Sequence, residues 1–306
     1  MTASIAVQIP VRDGGSHLAR TLDALRAQDL QAPWELVLAD DGSRVPVAEE
    51  FDLSFPDNVT VKVVETGGAG RRAVARNRAW QASKAPVSLL MDADLDMPPN
   101  LLRSHLEARE ARPEAVIMGA RVDAWRSDAN AWQRWFDTRA MGDSPAGPFP
   151  WRYLITGNVS MPTGLLRLTG GFDEELSHYG GEDTELGFRL ARMGIELYWD
   201  PSLRVYHLER DDARRNARKM VAYGATGIPH LLAKHPDMLG LLGTNWVAGP
   251  VGLRNLPMRA VAFLTLRRPV FRAALWWAER FGRPRFLFTY LSVGACLMGY
   301  LGRRPL

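Results

Sequence analysis

The chain has 306 residues, of which 46% are apolar and 24% charged, and a formal net charge of +4. That length can bury one large or two modest domains, the composition is that of a globular protein, and the modest charge predicts no nucleic-acid partner. Cys296 stands alone, which excludes an intramolecular disulfide and fits a reducing compartment.

The charge is unevenly placed. Between Arg254 and Leu306 there are arginines at 254, 259, 267, 268, 272, 280, 283, 285, 303 and 304, against the single acid Glu279. Met1-Thr2-Ala3 passes straight into Ile5-Ala6-Val7, without a basic region or cleavage site, which predicts no secretory leader and a cytoplasmic setting.

In chain order, residues 4–10 read as a strand, and Leu18, Leu22 and Leu25 recur at helical spacing. Residues 35–40 form a second strand and residues 59–64 a third. Gly67, Gly68 and Gly70 open a helix over 72–84, and residues 87–91 make a further strand. Pro98-Pro99 begins a helix that stops before Pro113. Strands alternating with helices predict an α/β fold with a mainly parallel sheet and flanking helices. In such sheets ligands collect at the carboxyl ends of the strands. Residues 121–150, with Trp125, Trp132 and Trp135, read either as a surface helix and loop or as a flap over an acceptor pocket.

Two apolar runs end in paired carboxylates: Leu36-Val37-Leu38-Ala39-Asp40-Asp41 and Leu89-Leu90-Met91-Asp92-Ala93-Asp94. Acids also follow strands because turns favour Asp, but the pattern occurs twice in one half of the chain. A buried strand that delivers carboxylates to an exposed edge makes a hard-cation site of the kind that holds a nucleotide diphosphate. Glu182-Asp183 follows a double glycine at a helix start, where acids also serve as ordinary first-turn residues.

Ile9-Pro10-Val11, Asp40-Asp41-Gly42-Ser43, Ala75-Arg76-Asn77, Asp92-Ala93-Asp94, Gly157-Asn158, Gly170-Gly171-Phe172-Asp173 and Gly181-Glu182-Asp183 stand in the order found in glycosyltransferase family 2. The resemblance covers residues 4–210 and implies the Rossmann-like GT-A fold in a catalytic domain over 1–210. Residues 211–306 then form a basic, apolar helical region with a membrane-surface, packing or oligomer role. The resemblance implies inverting transfer of a sugar from a nucleotide-sugar, with uridine the expected base, to an acceptor hydroxyl.

By the same resemblance Asp183 is the base and Glu182 orients the acceptor. Pro10, Arg12, Asp40, Asp41, Arg76 and Asp92 hold the donor, and Arg76 is preferred to Arg72 as the cation near its phosphates. Asp94 and His207 meet a manganese or magnesium ion, although a lone histidine after a short strand is as readily a packing residue. Gly157, Asn158 and Gly181 line the acceptor or sugar side. The acceptor is expected to be a glycan, a lipid-linked molecule or a small molecule.

Processive members carry Gln-x-x-Arg-Trp after the base, and the nearest likeness, Gln133-Arg134-Trp135, has other spacing and precedes Glu182. A transferase of one or a few sugars is therefore expected. A nucleotidyltransferase would need a Gly-Thr-Arg-like phosphate loop, which Arg12-Asp13-Gly14-Gly15-Ser16-His17 does not supply. A non-catalytic scaffold would show loss of the base or a metal ligand. Residues 286–301 carry no charge but are too short for an ordinary membrane span. With Trp276 and Trp277 they predict a helix pair on an anionic membrane surface at the inner face of the cell membrane, or a packed C-terminal subdomain.

Overall fold

The computed structural model describes residues 3–68, 70–139, 141–176, 179–242, 244, 247 and 256–306, with Arg126 in its backbone only. Arg254 lies outside the described residues. The strands are β1 (Ile5–Val11), β2 (Trp34–Asp40), β3 (Val59–Glu65), β4 (Val87–Met91), β5 (Leu95–Asp96), β6 (Val116–Asp123), β7 (Gly147–Pro148), β8 (Asn158–Pro162) and β9 (Leu197–His207). The helices are α1 (Gly15–Arg26), α2 (Val47–Glu50), α3 (Arg72–Gln81), α4 (Leu101–Ala111), α5 (Ala131–Asp137), α6 (Thr163–Thr169) and α7 (Glu182–Arg192). They continue with α8 (Ala213–Ala222), α9 (Ile228–Lys234), α10 (Leu256–Thr265), α11 (Arg268–Phe281), α12 (Arg285–Thr289) and α13 (Ala295–Tyr300).

The chain forms two compact units. The first comprises Met1–Arg126, Asp137–Ser177 and Glu182–Glu209, and holds one sheet in the order β3-β2-β1-β4-β8-β6-β9-β5, with β7 on β9. The pairs β3/β2, β2/β1, β1/β4 and β6/β9 are parallel, as alternating strands and helices require. β8 runs antiparallel between β4 and β6. Ile5, Val7 and Ile9 of β1 are fully buried with Leu18, Leu22 and Leu25 of α1, the helix stripe legible in the sequence. On the other sheet face Val37 and Ala39 pack with Ala75 and Ala79 of α3. Small side chains let this helix lie close over the strand ends.

The second unit comprises Ser127–Phe136, His178–Gly181 and Arg210–Leu306. Its core gathers Trp132, Phe271, Leu275, Phe288, Leu291 and Met298. The charge-free stretch 286–301, expected on a membrane surface or packed, is the unit's central helix: α12 and α13 run on through a π turn over Tyr290–Gly294. Glycine makes this possible. A Cβ on Gly224 would lie 1.9 Å from the Cys296 carbonyl oxygen, and one on Gly299 would lie 2.2 Å from that of Val221, so the helices meet backbone to backbone. Trp132, placed in the sequence on a surface helix or flap, is a core residue. Among the described residues no helix is long and apolar enough to cross a membrane.

Candidate active site

The site lies in the first unit, where strands end and loops begin. Asp40 closes β2 and spends both carboxylate oxygens on its own loop, accepting the Ser43 N–H at 2.8 Å and the Val47 N–H at 3.0 Å. Burial opposes its ionisation, but these N–H groups prevail and hold its pKa below the usual carboxylate value. Asp40 thereby orders the loop that follows β2. Asp41 beside it accepts only the Thr66 hydroxyl, at 2.7 Å, among the described side chains. Pro10, next to last in β1, stands opposite Ala39. The exposed Arg12 guanidinium fills the space beside Gly70, where a Cβ would lie 2.2 Å away.

Asp92 follows β4 and is gripped from two sides. Arg76 Nη2 donates to one oxygen at 2.9 Å and Arg121 Nη1 to the other at 2.6 Å. Burial disfavours its charge, yet the two guanidiniums outweigh burial and hold the carboxyl far below the ordinary range. Arg76 is itself buried, and Nη1 donates to the Thr156 carbonyl at 2.9 Å. Gly157 permits the assembly, since a Cβ there would lie 2.5 Å from Asp92 Oδ2. Both Asp92 oxygens are thus committed, and Arg76 acts here through Asp92 and the backbone.

Asp94 lies two residues on, opposite the end of β9. Leu95 pairs with His207, and the Leu208 N–H donates to the Asp94 carbonyl at 2.8 Å. Asp94 Oδ2 and His207 Nε2 stand 3.0 Å apart, with side chains 21% and 25% exposed. One carboxylate oxygen and one imidazole nitrogen, adjacent and open to solvent, are a donor set suited to manganese or magnesium, the nitrogen favouring manganese. The pair fits the ion that the resemblance implies.

Glu182 and Asp183 begin α7, after Gly180 and Gly181 in left-handed backbone with φ of 83° and 110°. Glu182 is buried, and its Oε2 has no hydrogen-bond partner among the described residues. Burial, and then the neighbouring Asp183 charge, push its pKa up to about 7. Asp183 is half-buried and accepts a hydrogen bond from the Thr156 hydroxyl. Thr156 thereby ties the Arg76–Asp92 pair to the start of α7.

Asn158 does not reach this group. Its amide donates to the Leu203 carbonyl at 2.8 Å, and its oxygen meets His105 Nε2 at 2.9 Å, so its polar atoms are used inside the sheet. His105, fully buried, has its pKa pushed down to about 4, chiefly by burial. Sequence reasoning missed Arg121 and Thr156. Arg121 carries a recognisable signal, since it ends the apolar run 115–120 as the aspartates end theirs. A bulge between Gly119 and Arg121 re-aims it.

The model of "Glycosyl transferase family 2" matches residues 6–167, and that of the "N-terminal domain of galactosyltransferase" matches residues 139–211. Validoxylamine A glucosyltransferase of Streptomyces hygroscopicus subsp. limoneus is 30% identical over 225 residues, covering 63% of this chain and 49% of that protein. Pre-mycofactocin glycosyltransferase of Mycobacterium tuberculosis is 26% identical over 278 residues, covering 86% and 57%. The chain therefore spans about half the length of these relatives. The solved mannosyltransferase PcManGT of Pyrobaculum calidifontis, in complex with GDP-Man and Mn2+, superposes with a TM-score of 0.58 at 17% identity, covering 99% of this chain and 89% of that one. The fold is GT-A, and with its family model matched over more than half of its length, this chain is a member of glycosyl transferase family 2.

Proposed function

We propose that the protein moves a sugar from a nucleoside diphosphate sugar to an acceptor hydroxyl, with inversion, in a metal-dependent and non-processive reaction. The observation that carries the reading is that Asp41 follows β2, Asp94 follows β4 and His207 ends β9, all at the same end of these like-directed strands, with Asp94 and His207 3.0 Å apart and Asp183 held by Thr156 just before β8. Family membership supports it, as does the fold shared with a transferase solved with GDP-Man and Mn2+.

In this reading Asp183 accepts the acceptor's proton as its oxygen bonds to the anomeric carbon and the bond from that carbon to the diphosphate breaks. Glu182, buried behind it, orients the acceptor hydroxyl. Asp41 holds the base or ribose, with Pro10 and Arg12 beside it. Asp92, between Arg76 and Arg121, sets the charge of the donor side of the site. Asp94 and His207 hold the divalent ion, which supplies charge stabilisation to the departing diphosphate when bound. Gly157 and Gly181 leave room for sugar or acceptor.

The names of the two relatives favour a small-molecule acceptor, and a lipid-linked glycan is the second class. We place the protein in the cytoplasm, peripheral on the inner face of the membrane, and assign catalysis to residues 1–210. Calorimetric titration of UDP, GDP and dTDP sugars with and without manganese, on wild type and on Asp94→Ala, tests the reading. Metal-dependent binding of one nucleotide class, lost in the variant, supports it; binding without turnover for any acceptor moves the protein to a nucleotide-sugar-binding scaffold.

A further inference from the structure

The second unit carries a surface that its own fold does not use. Arg267, Arg268, Arg303 and Arg304 line a groove of about 460 Å³ whose floor is the buried Leu266 and Met298. Two of the four are held in place from behind: Arg267 Nε donates to the Phe263 carbonyl at 3.0 Å, and Arg303 Nη1 to that of Leu266 at 2.8 Å. No carboxylate among the described residues pairs with any of the four. The one acid between residues 256 and 306, Glu279, is already neutralised by two 2.7 Å hydrogen bonds from Arg214.

Phe263 lines this groove too, and the two helices that flank Arg267 and Arg268 in sequence expose further apolar side chains. On α10 Val261, Phe263 and Leu264 are exposed, the last two at 58% and 61%, while Ala262 is buried. α11 buries Phe271, Leu275 and Ala278 and on its other side exposes Trp276, Trp277 and Phe281, a cluster with ring centroids 4.6–6.4 Å apart. Exposed rings and aliphatic chains among unpaired arginines are what a lipid interface accepts, with rings at headgroup depth and guanidiniums on phosphate.

We infer that this face docks on an anionic lipid bilayer, with the arginine groove seating the phosphate of a lipid headgroup. A second copy of the chain suits the face less, because a symmetric contact would set these arginines against themselves. Nucleic acid suits it less, because a polyanion would leave the exposed aliphatic Val261 and Leu264 in water, whereas a bilayer buries them. The inference rests on the proposed peripheral membrane placement and is independent of the transfer chemistry.

The test is flotation of the full chain with vesicles of phosphatidylcholine alone and of phosphatidylcholine with 30% phosphatidylglycerol. It compares wild type, a variant with Arg267, Arg268, Arg303 and Arg304 changed to Gln, and Trp276→Ser/Trp277→Ser. Thermal melts and nucleotide-sugar titration on the same preparations separate failed docking from failed folding or a failed donor site. Binding only to the anionic vesicles, weakened by roughly 1,000-fold in the four-fold variant and weakened in the tryptophan variant, is expected. Equal binding to both vesicles, no binding by wild type, unchanged binding in both variants, or competition by inorganic phosphate without flotation would overturn it. So would a dimer, seen by light scattering, that the tryptophan variant dissolves.

Discussion

The Thr156 hydroxyl donates to Asp183, while the carbonyl of the same residue accepts Arg76 Nη1 at 2.9 Å. Thr156 therefore fixes the proposed base relative to the carboxylate-arginine cluster around Asp92. Its loop precedes β8, so the placement depends on sheet register rather than on a mobile side chain.

Asp183→Asn keeps the shape of the side chain and removes its basicity. Transfer is expected to fall by about a thousand-fold or more, with donor affinity changed by less than about three-fold. Loss of donor binding along with turnover would remove Asp183 from the role of base. Thr156→Val, which only frees Asp183 to turn, is expected to cost about ten- to a hundred-fold in kcat, the worth of a hydrogen bond to a charged group.

Asp92 carries the charge balance of two arginines. Asp92→Asn leaves Arg76, 5% exposed, beside Arg121 without a counter-ion, and an unpaired buried charge costs about 3–5 kcal/mol. Arg121→Met is expected to cost less, about 1–2 kcal/mol, because Asp92 keeps Arg76 and Arg121 is partly exposed. Urea midpoints rank the three proteins, and equal midpoints for both variants would show the cluster to be dispensable to stability.

The first four strands and their helices were legible because period and punctuation agree there: apolar β1, Leu18-Leu22-Leu25 on α1, glycines before α3. The antiparallel β8 was hidden, because a short strand bears no mark of its direction and an antiparallel neighbour needs no helical crossover. Asp94, His207 and Asp183 were singled out by family order. The contacts of Asp40 and Asn158 were not legible, because a motif letter does not say that its side chain bonds to backbone nearby, as in Asp40, or far away, as in Asn158. Arg121 and Thr156 were missed since they belong to no motif and act by closing contacts between distant segments. The packing of the helix over 286–301 turned on Gly224 and Gly299, whose partners 70 or more positions away cannot be read locally.

Asp94 and His207 are expected to contribute unequally to metal binding. Asp94→Ala removes a charged oxygen and should abolish manganese-dependent donor binding. His207→Ala should weaken it by about ten- to a hundred-fold and shift preference toward magnesium, since the remaining donor is oxygen. Manganese titration in the presence of nucleoside diphosphate checks both, and unchanged metal affinity in Asp94→Ala would sink the assignment.

Two buried groups in the first unit titrate in opposite senses. Glu182 has its pKa raised from 4.5 to about 7, so the folded state binds the extra proton and stability falls as pH rises between those values. His105 has its pKa lowered from 6.5 to about 4, so the unfolded state binds the extra proton and stability falls as pH drops through that window. Between about pH 4.5 and 6.5 the slopes oppose each other, and the depressed carboxyls of Asp40 and Asp92 titrate below it. Wild-type stability should therefore be nearly level there. Glu182→Gln should uncover a rise with pH approaching about 1.4 kcal/mol per unit, and His105→Gln a fall of similar size. Urea midpoints at several pH values give these slopes whatever constant offset each substitution adds. The transfer rate, which draws on Glu182 alone of the two, should climb as pH passes through about 7, and that step should be missing in Glu182→Gln. A Glu182→Gln slope equal to that of wild type would mean that Glu182 does not titrate in this window, and the pH argument for both stability and rate would fail together.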